Sequence, residues 1–242
     1  MKRGEFYTKG YYAGLAPEPR FDEVLKIAGN LKCERLLDIG CGDGTFTLLL
    51  KKALKAEEAT GIEIAPEAIA SVKEKGLKAY QLDIDESPFP FEDAYFDVVY
   101  CGEIIEHVFN PDHLLEEVYR VLKAEGTAIF TTPNLAGWPN RVALLLGYQP
   151  YPTAVSPQHE GVGKMLIKGD EGQWGHIRVF TVRAFKELLS IHHFKTIRLI
   201  GCPVVVNTPS AKMVIRLIRL LDKAMSKIPS LSTRVIAVVK KE

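Results

Sequence analysis

Residues 37–45 read LDIGCGDGT, and this stretch decides the fold. The apolar segment 35–39 predicts a short strand, and a helix is predicted at 48–55. Between them lie three glycines at alternate positions, Gly40, Gly42 and Gly44. Glycine lets the backbone turn tightly and lets a ligand approach without a Cβ atom in the way. We interpret the stretch as a strand–turn–helix corner that binds a nucleotide-like ligand, and a purely structural corner is the alternative.

Strand-like and helix-like segments alternate from about residue 35, which is typical of a parallel sheet with helices on both faces. Further strands are predicted at 59–63, 78–82, 96–101, 127–131, 194–200 and 234–239. Further helices are predicted at 66–75, from the Asn110 cap to 126, around 141–146, from the Thr181 cap to 192, and at 211–227. Residues 133–175 interrupt the alternation with many prolines and glycines, so we expect an insertion over the strand ends.

Carboxylates near the glycine turn indicate which ligand it binds. Glu63 ends the second predicted strand, where a carboxylate can accept both ribose hydroxyls of a nucleotide. Dinucleotide enzymes use G-x-G-x-x-G, whereas the third glycine here comes one residue early. Asp38 and Asp43 flank the turn, and negative charge there disfavours a pyrophosphate. The pattern favours a cationic ligand end, such as the amino group and sulfonium of S-adenosylmethionine.

Residues 30–200 resemble the class I S-adenosylmethionine-dependent methyltransferases. The spacing Asp38-x-Gly40-x-Gly42-x-Gly44 is similar to the first motif of that family, and Glu63 is similar to its ribose-binding acid. Residues 96–101, FDVVYC, are similar to its fourth-strand motif. The resemblance implies an α/β fold with a Rossmann-like, mostly parallel seven-stranded sheet, helices on both faces, a lid insertion and an antiparallel C-terminal strand.

The same resemblance implies the cofactor, S-adenosyl-L-methionine, and a set of residues that bind it. Asp83 is expected to contact the adenine amino group, with Ile84 beside the ring. The full set of expected cofactor-binding residues is Asp38, Gly40, Gly42, Gly44, Glu63, Ile64, Asp83, Ile84 and Cys101.

The expected organisation follows this assignment. Residues 1–30 form an N-terminal cover over cofactor and substrate, and residues 31–132 form the cofactor-binding core. Residues 133–175 form a substrate lid, whose aromatic residues either line an acceptor pocket or only pack the lid; they are Trp138, Tyr148, Tyr151 and Trp174. Residues 176–242 complete the same domain.

Residues 102–108, GEIIEHV, resemble the E-x-x-E-H segment of the ubiquinone-type O-methyltransferases. That branch methylates diverse small molecules, so the resemblance implies methylation of an oxygen on a small-molecule acceptor, with a lipid-linked one left open. An oxygen acceptor must lose its proton, and histidine is the usual base. His107 and His176 are the candidates. An amine acceptor on a small molecule or a protein would need no strong base and is an alternative.

The E-x-x-E-H segment also raises the question of a metal. Glu103, Glu106 and His107 would share one face of a helix and could hold a divalent ion, as a similar motif with a later histidine does in small-RNA 2′-O-methyltransferases. His176 or His159 would be that later histidine. In the alternative, which we prefer, the segment positions the cofactor loop and His107 is hydrogen-bonded inside, so no metal is assigned.

Composition excludes several classes of protein. The chain has 242 residues, of which 47% are hydrophobic and 25% charged, so it is not a disordered chain. A net charge of +1 at pH 7 makes nucleic acid an unlikely partner. Four scattered cysteines form no metal or disulfide pattern and favour a reducing compartment. No apolar signal segment is expected, and we predict a cytoplasmic location.

Residues 207–242 are basic, with eight Lys and Arg against two Asp and Glu. Within the predicted amphipathic helix 211–227, an apolar stripe lies beside a basic one formed by Lys212, Arg216, Arg219, Lys223 and Lys227. The helix packs on the domain or at a homodimer interface, or it contacts an anionic membrane surface or a lipid-linked acceptor. Both interpretations stay open at this point.

Two other functions use a similar glycine turn. An NAD-dependent oxidoreductase is disfavoured by the missing G-x-G-x-x-G spacing. A non-catalytic S-adenosylmethionine-binding protein would bind the cofactor without transferring a methyl group.

Overall fold

The computed structural model describes residues 18–156, 158–159, 161–165, 175–203 and 213–242, without the side chains of 213–216. The strands are β1 (Arg35–Ile39), β2 (Glu58–Glu63), β3 (Lys78–Gln81), β4 (Phe96–Gly102), β5 (Leu122–Pro133), β6 (Phe194–Cys202) and β7 (Arg234–Lys241). The helices are α1 (Pro19–Ala28), α2 (Thr45–Leu54), α3 (Pro66–Glu74), α4 (Pro111–Val121), α5 (Trp138–Leu145), α6 (Val182–Ile191) and α7 (Met213–Met225).

The strands form one seven-stranded sheet in the order β3-β2-β1-β4-β5-β7-β6. The pairs from β3 to β5 are parallel, whereas β7 runs antiparallel to both of its neighbours, β5 and β6. The chain moves to one side of β1 through β2 and then to the other side through β4. In such sheets a ligand crevice lies outside the carboxyl ends of the strands, where the direction of winding changes. The predicted α/β fold is confirmed, with β7 inserted between β5 and β6.

Both faces of the sheet are buried. Val99 and Cys101 of β4 belong to a core cluster with Phe130 and residues of α4 and α6. The intervening residues, Val98 and Tyr100, belong to a second cluster with residues of α1 and α2. Because both faces are covered at β4, this central strand is buried along most of its length, whereas the edge strands β3 and β6 expose several residues.

The sequence correctly predicts the starts of α4 and α6, where a side chain caps the helix. Asn110 Oδ1 accepts a hydrogen bond from His113 N, and Thr181 Oγ1 accepts one from Ala184 N, each at 3.2 Å. The end predicted at residue 126 is wrong: α4 stops at Val121, and Leu122 pairs with Phe96 as the first residue of β5. Fully buried Leu122 is held by sheet pairing, which outweighs its helix propensity.

The two predicted accessory parts are described only in part. The N-terminal cover is described from Glu18 onward, so most of the range 1–30 lies outside the described residues. In the predicted lid, residues 157, 160 and 166–174 lie outside them, and these include Trp174. The lid contains α5 within its described part. No described helix is both long and apolar enough to cross a bilayer.

A buried carboxyl group joins β1 to α2. Asp38 is 2% exposed, and its Oδ2 accepts a hydrogen bond of 2.6 Å from Thr47 Oγ1. Burial raises the pKa of Asp38 to about 7, with a smaller contribution from the charge of Glu63, and the Thr47 hydrogen bond opposes this rise.

Replacing Asp38 should therefore change how stability depends on pH. The unfolded chain releases the Asp38 proton near pH 4, whereas the folded protein keeps it up to about pH 7. The contribution of Asp38 to the free energy of unfolding is therefore complete below pH 4. It is lost as the pH rises to about 7. We expect Asp38→Asn, which keeps an acceptor for Thr47, to gain stability over the wild type across that interval, by about 1.4 kcal/mol per unit of pKa shift. Urea unfolding at pH 4, 5.5 and 7 measures this, with Asp22→Asn at an exposed position on α1 as the control. Parallel profiles for Asp38→Asn and wild type would contradict it.

Candidate active site

The glycine turn after β1 is held against the end of β2. The amides of Gly40 and Cys41 donate hydrogen bonds to the carbonyl of Ile62, at 2.8 and 3.1 Å. Gly40 has φ +72°, and a Cβ atom there would overlap the side chain of Ile104. Gly44 has φ +78° and forms the N-cap of α2. The turn therefore requires glycine both for its backbone conformation and for space.

Glu63 ties this turn to the turn after β2. Its Oε2 accepts a hydrogen bond from Gly42 N at 3.0 Å. Its Oε1 accepts hydrogen bonds from Ile64 N and Ala65 N, at 2.8 and 3.1 Å. The side chain is buried, so these donors replace the water that a carboxylate would otherwise bind.

The other residues predicted to bind a cofactor lie at neighbouring strand ends. Leu82 N donates to Glu63 O at 3.0 Å, which brings the segment after β3 beside Glu63. Asp83 Oδ1 accepts a hydrogen bond from Asp85 N at 3.1 Å, and Ile84 packs partly buried against the core. Cys101 is buried, and burial and then the charge of Glu106 raise the pKa of its thiol well above the usual range. Cys101 thus faces the core and only its backbone lies near the crevice.

The two aspartates that flank the turn are both engaged elsewhere. Asp38 is bonded to Thr47. Asp43 accepts hydrogen bonds from Thr45 N and Oγ1, at 2.9 and 2.7 Å, and its Oδ2 pairs with Lys75 Nζ at 3.3 Å. The selection of a cationic ligand by these two aspartates stays a prediction, and Glu63 is a further carboxylate that contacts the turn.

The segment after β4 is a series of turns, so Glu103, Glu106 and His107 do not lie on a helix that would place them on one face. Glu103 has φ +56°, a strained conformation for a residue other than glycine. Its side chain points to Arg234, with Oε2 at 2.8 Å from Nε, and accepts a hydrogen bond of 2.9 Å from Thr131 Oγ1. Arg20 lies 4.0 Å from Oε1. Glu103 is therefore turned away from the other two residues of the motif.

Glu106 and His107 are instead joined by His176. The ring centroids of His107 and His176 are 4.8 Å apart, and His176 Nε2 lies 4.0 Å from Glu106 Oε1. Among the described residues, these three form the group whose ligand atoms lie close enough for a metal ion, all within 4.8 Å of one another. His159, the other candidate for the later histidine, is exposed and is not part of this group.

Hydrogen bonds define the tautomers of both imidazoles. His107 Nδ1 lies 3.2 Å from the carbonyl oxygen of Gly175, and His176 Nδ1 lies 2.8 Å from that of Pro152. A carbonyl oxygen only accepts, so Nδ1 carries the proton in each neutral ring. The basic lone pair is then on Nε2 in both histidines.

Burial sets the charges in this group. Burial, followed by the charge of Glu103, raises the pKa of Glu106 well above its usual range. Burial, followed by His176, lowers the pKa of His107 to about 4. Burial also acts to raise the pKa of Glu103, but Arg234 and Arg20 outweigh it and the pKa is lowered. At neutral pH the structure therefore holds a charged Glu103 and a neutral His107.

Sequence reasoning missed the charged residues around Glu103. Arg234 begins β7, and Glu18, which precedes α1, accepts hydrogen bonds from Arg234 Nη1 at 2.8 Å and Arg20 Nε at 2.6 Å. The predicted antiparallel direction of the last strand was the available signal, because the start of such a strand lies where the parallel strands end.

Comparison with known proteins agrees with this arrangement. Residues 37–130 match the family described as "Methyltransferase domain". A ubiquinone biosynthesis O-methyltransferase from Pseudomonas putida is 34% identical over 118 residues, covering 47% of this chain and 48% of that protein. The Bordetella avium protein of the same name is 27% identical over 121 residues, covering 48% and 49%. The chain thus spans about half the length of these curated relatives.

The fold extends the similarity beyond the matched segment. An S-adenosylmethionine-dependent methyltransferase from Mesorhizobium loti superposes with a TM-score of 0.63 at 15% identity, over 94% of this chain and 100% of that chain. In this chain the strand order places β2 beside β1, so Glu63 at the end of β2 contacts the glycine turn that follows β1. Residues 37–130 are therefore similar to the methyltransferase domain family, and the fold of the chain is similar to that of an S-adenosylmethionine-dependent methyltransferase.

Proposed function

We propose that this chain transfers a methyl group from S-adenosylmethionine to an oxygen atom of a small molecule. The observation that carries the proposal is the pair of buried imidazoles, His107 and His176, whose ring centroids are 4.8 Å apart, with His107 in the segment that follows β4. An oxygen acceptor requires removal of a proton, which an amine acceptor does not require from a strong base. The O-methyltransferase names of the curated relatives support the same choice.

The residues at the strand ends fit this cofactor. When bound, S-adenosylmethionine supplies an electrophilic methyl group. Glu63 already uses about three of the four lone-pair positions of its carboxylate, so it accepts one ribose hydroxyl on Oε2 without losing a backbone contact. Accepting both hydroxyls, as the sequence suggested, requires the release of one backbone amide. We assign Asp83 and Ile84 to the adenine end, and the turn at Gly40, Gly42 and Gly44 to close backbone approach.

His176 is the better placed general base of the two. Its Nε2 carries the lone pair and lies 4.0 Å from Glu106 Oε1, and the negative charge of Glu103 would stabilise the imidazolium that forms. Burial lowers the pKa of His107 to about 4, so His107 stays neutral over the physiological range. We assign His107 to the packing and orientation of His176, and we keep it as the second candidate for the base.

The same three side chains favour a metal-assisted variant of this reaction. Glu106 Oε1 has no hydrogen-bond partner among the described residues, and it faces two imidazoles. A carboxylate oxygen and two imidazole nitrogens are suitable ligands for a divalent transition metal. In this variant Glu106, His107 and His176 would hold the ion, and Glu103 would not.

The remaining aspects of function stay predictions. The sequence predicts a small-molecule acceptor and a cytoplasmic location, and it makes nucleic acid an unlikely partner. A homodimer stays one of the open interpretations of the basic helix. The lid at 133–175 is proposed to bind the acceptor, with Tyr151 partly buried near Asn140 Oδ1, which accepts its amide at 2.9 Å.

Replacement of Glu63 tests cofactor binding directly. We expect Glu63→Gln to weaken S-adenosylmethionine binding by about 10- to 100-fold, because hydrogen bonds to charged groups contribute about 1.5–3 kcal/mol. Isothermal titration calorimetry measures the Kd. Glu58→Gln, at the opposite end of the same strand, is the matched control and should bind like the wild type. Equal affinity in Glu63→Gln and wild type would contradict the assignment.

Methyl transfer into fractionated cell extract tests the acceptor and the base together. With labelled S-adenosylmethionine, we expect label in the small-molecule or lipid pool. His176→Gln should lower this transfer by about 10²- to 10⁴-fold without changing cofactor affinity, since that is the usual contribution of a general base. His159→Gln, at an exposed histidine, is the control. Label confined to protein or RNA would refute the acceptor class, and full activity of His176→Gln would favour an amine acceptor.

Treatment with a chelator distinguishes a role of His176 as general base from a role as metal ligand. If His176 acts as a base, dialysis against EDTA should leave the rate of transfer unchanged. A loss of activity that added Mg²⁺ or Zn²⁺ restores would assign Glu106, His107 and His176 as metal ligands instead.

A further inference from the structure

Helix α7 and the residue that follows it bury two polar side chains and expose several leucines. Asp222 and Ser226, one helical turn apart, are each only 6% exposed. Leu217 and Leu220 on the same helix are 58% and 60% exposed, and Leu221 is also exposed. An amphipathic helix on a domain surface ordinarily buries its apolar face and exposes its polar one. Here two polar side chains are buried and three leucines are exposed.

The buried polar side chains Asp222 and Ser226 have hydrogen-bond partners in α5 and in the backbone of α7. Trp138 Nε1 donates a hydrogen bond of 2.8 Å to Asp222 Oδ1, and Ser226 Oγ donates one of 2.7 Å to the Asp222 carbonyl. Trp138 N also donates to Leu231 O at 2.8 Å, in the connection between α7 and β7. These contacts fix α7 through its polar groups, so its leucines stay outward.

Helix α5 likewise buries a polar side chain and exposes leucines. Asn140 and Ala143 are buried, and Asn140 Nδ2 donates to the carbonyl of Asn134 at 3.0 Å. The leucines at the end of α5 point outward, and Leu145 is 85% exposed. Val142, Leu144, Leu146 and Tyr148 are also exposed. Two adjacent helices therefore expose leucines that a domain surface rarely leaves in water.

The charge around these leucines is positive. Arg219, Lys223 and Lys227 are exposed on and just after α7, and the one acidic residue of the helix, Asp222, is buried against Trp138. Helix α5 contains Arg141 and no acidic residue. The surface thus combines exposed leucines with basic side chains and no exposed carboxylate on either helix.

We propose that helices α5 and α7 form a surface that docks on an anionic lipid bilayer. The leucines would enter the boundary between headgroups and acyl chains, and the lysines would lie against lipid phosphates. A second copy of this chain fits less well, because a two-fold interface brings the same patch together and would place basic residues opposite basic residues. Opposite charge favours the anionic bilayer, so we choose that occupant.

The docking surface is close to the proposed base. Asn140 on α5 accepts the amide of Tyr151, and the next residue, Pro152, accepts Nδ1 of His176. An acceptor taken from the bilayer would therefore enter beside His176. This last step rests on the proposed function, whereas docking itself does not and is measured without methyl donor.

Vesicle co-sedimentation of the full chain tests the docking. We expect binding to phosphatidylglycerol-containing vesicles at low salt, and no binding to pure phosphatidylcholine vesicles. Lys223→Gln with Lys227→Gln should lower the partition coefficient by about 25-fold, since each basic residue near an anionic surface contributes about fivefold. Lys52→Gln with Lys73→Gln, at exposed positions on α2 and α3, is the matched control.

A second pair of variants tests the leucines. Leu217→Ser with Leu220→Ser should lower vesicle binding at least tenfold, because these leucines would no longer transfer apolar surface from water into the bilayer. Ile191→Ser with Ile197→Ser, at exposed isoleucines on α6 and β6, should bind like the wild type. The proposal is overturned if anionic vesicles do not bind the wild type or bind all variants equally. It is also overturned if sedimentation velocity shows a dimer that only the leucine pair dissociates while vesicles stay unbound.

Discussion

The carboxylate of Glu63 organises the carboxyl edge of the sheet. It is buried and accepts hydrogen bonds from Gly42, Ile64 and Ala65, so it joins the glycine turn after β1 to the turn after β2. A buried carboxylate without such donors would be strongly destabilising, so both turns are held in the conformation that satisfies it. The proposed cofactor site depends on this contact because it fixes the backbone of both turns.

A second constraint is the separation of two carboxyl groups in the E-x-x-E-H segment. Arg234 and Thr131 hold Glu103 on one side, with Arg20 nearby, while Glu106 lies on the other side with His176. The left-handed backbone at Glu103 makes this separation, since a helix would place both carboxyl groups on one face. Glu103 therefore pairs with arginines at the starts of α1 and β7. Glu106 is left beside the two imidazoles, where the chemistry is proposed.

Several features could be derived from the sequence because they depend on local backbone geometry. The glycines at 40, 42 and 44 require positive φ, and the structure gives it at all three. The caps at Asn110 and Thr181 start their helices because a short polar side chain accepts an early amide. Alternation of strands and helices then predicts a sheet covered on both faces. The motifs also predict roles for Glu63, His107 and His176; the structure brings the two histidines together, and their roles stay predictions.

Tertiary contacts decided what local geometry leaves open. The end of α4 at Val121 depends on the pairing of Leu122 with Phe96, and the direction of Glu103 depends on Arg234 from the last strand. In α7 the sequence shows that leucines and polar residues occupy different sides, but not which side is buried. The Trp138–Asp222 hydrogen bond settles that choice, since a buried carboxyl group must have a partner that only the folded chain brings to it. The sequence by itself therefore determines the backbone turns and the chemical groups, whereas the packing determines which of those groups meet and which face the solvent.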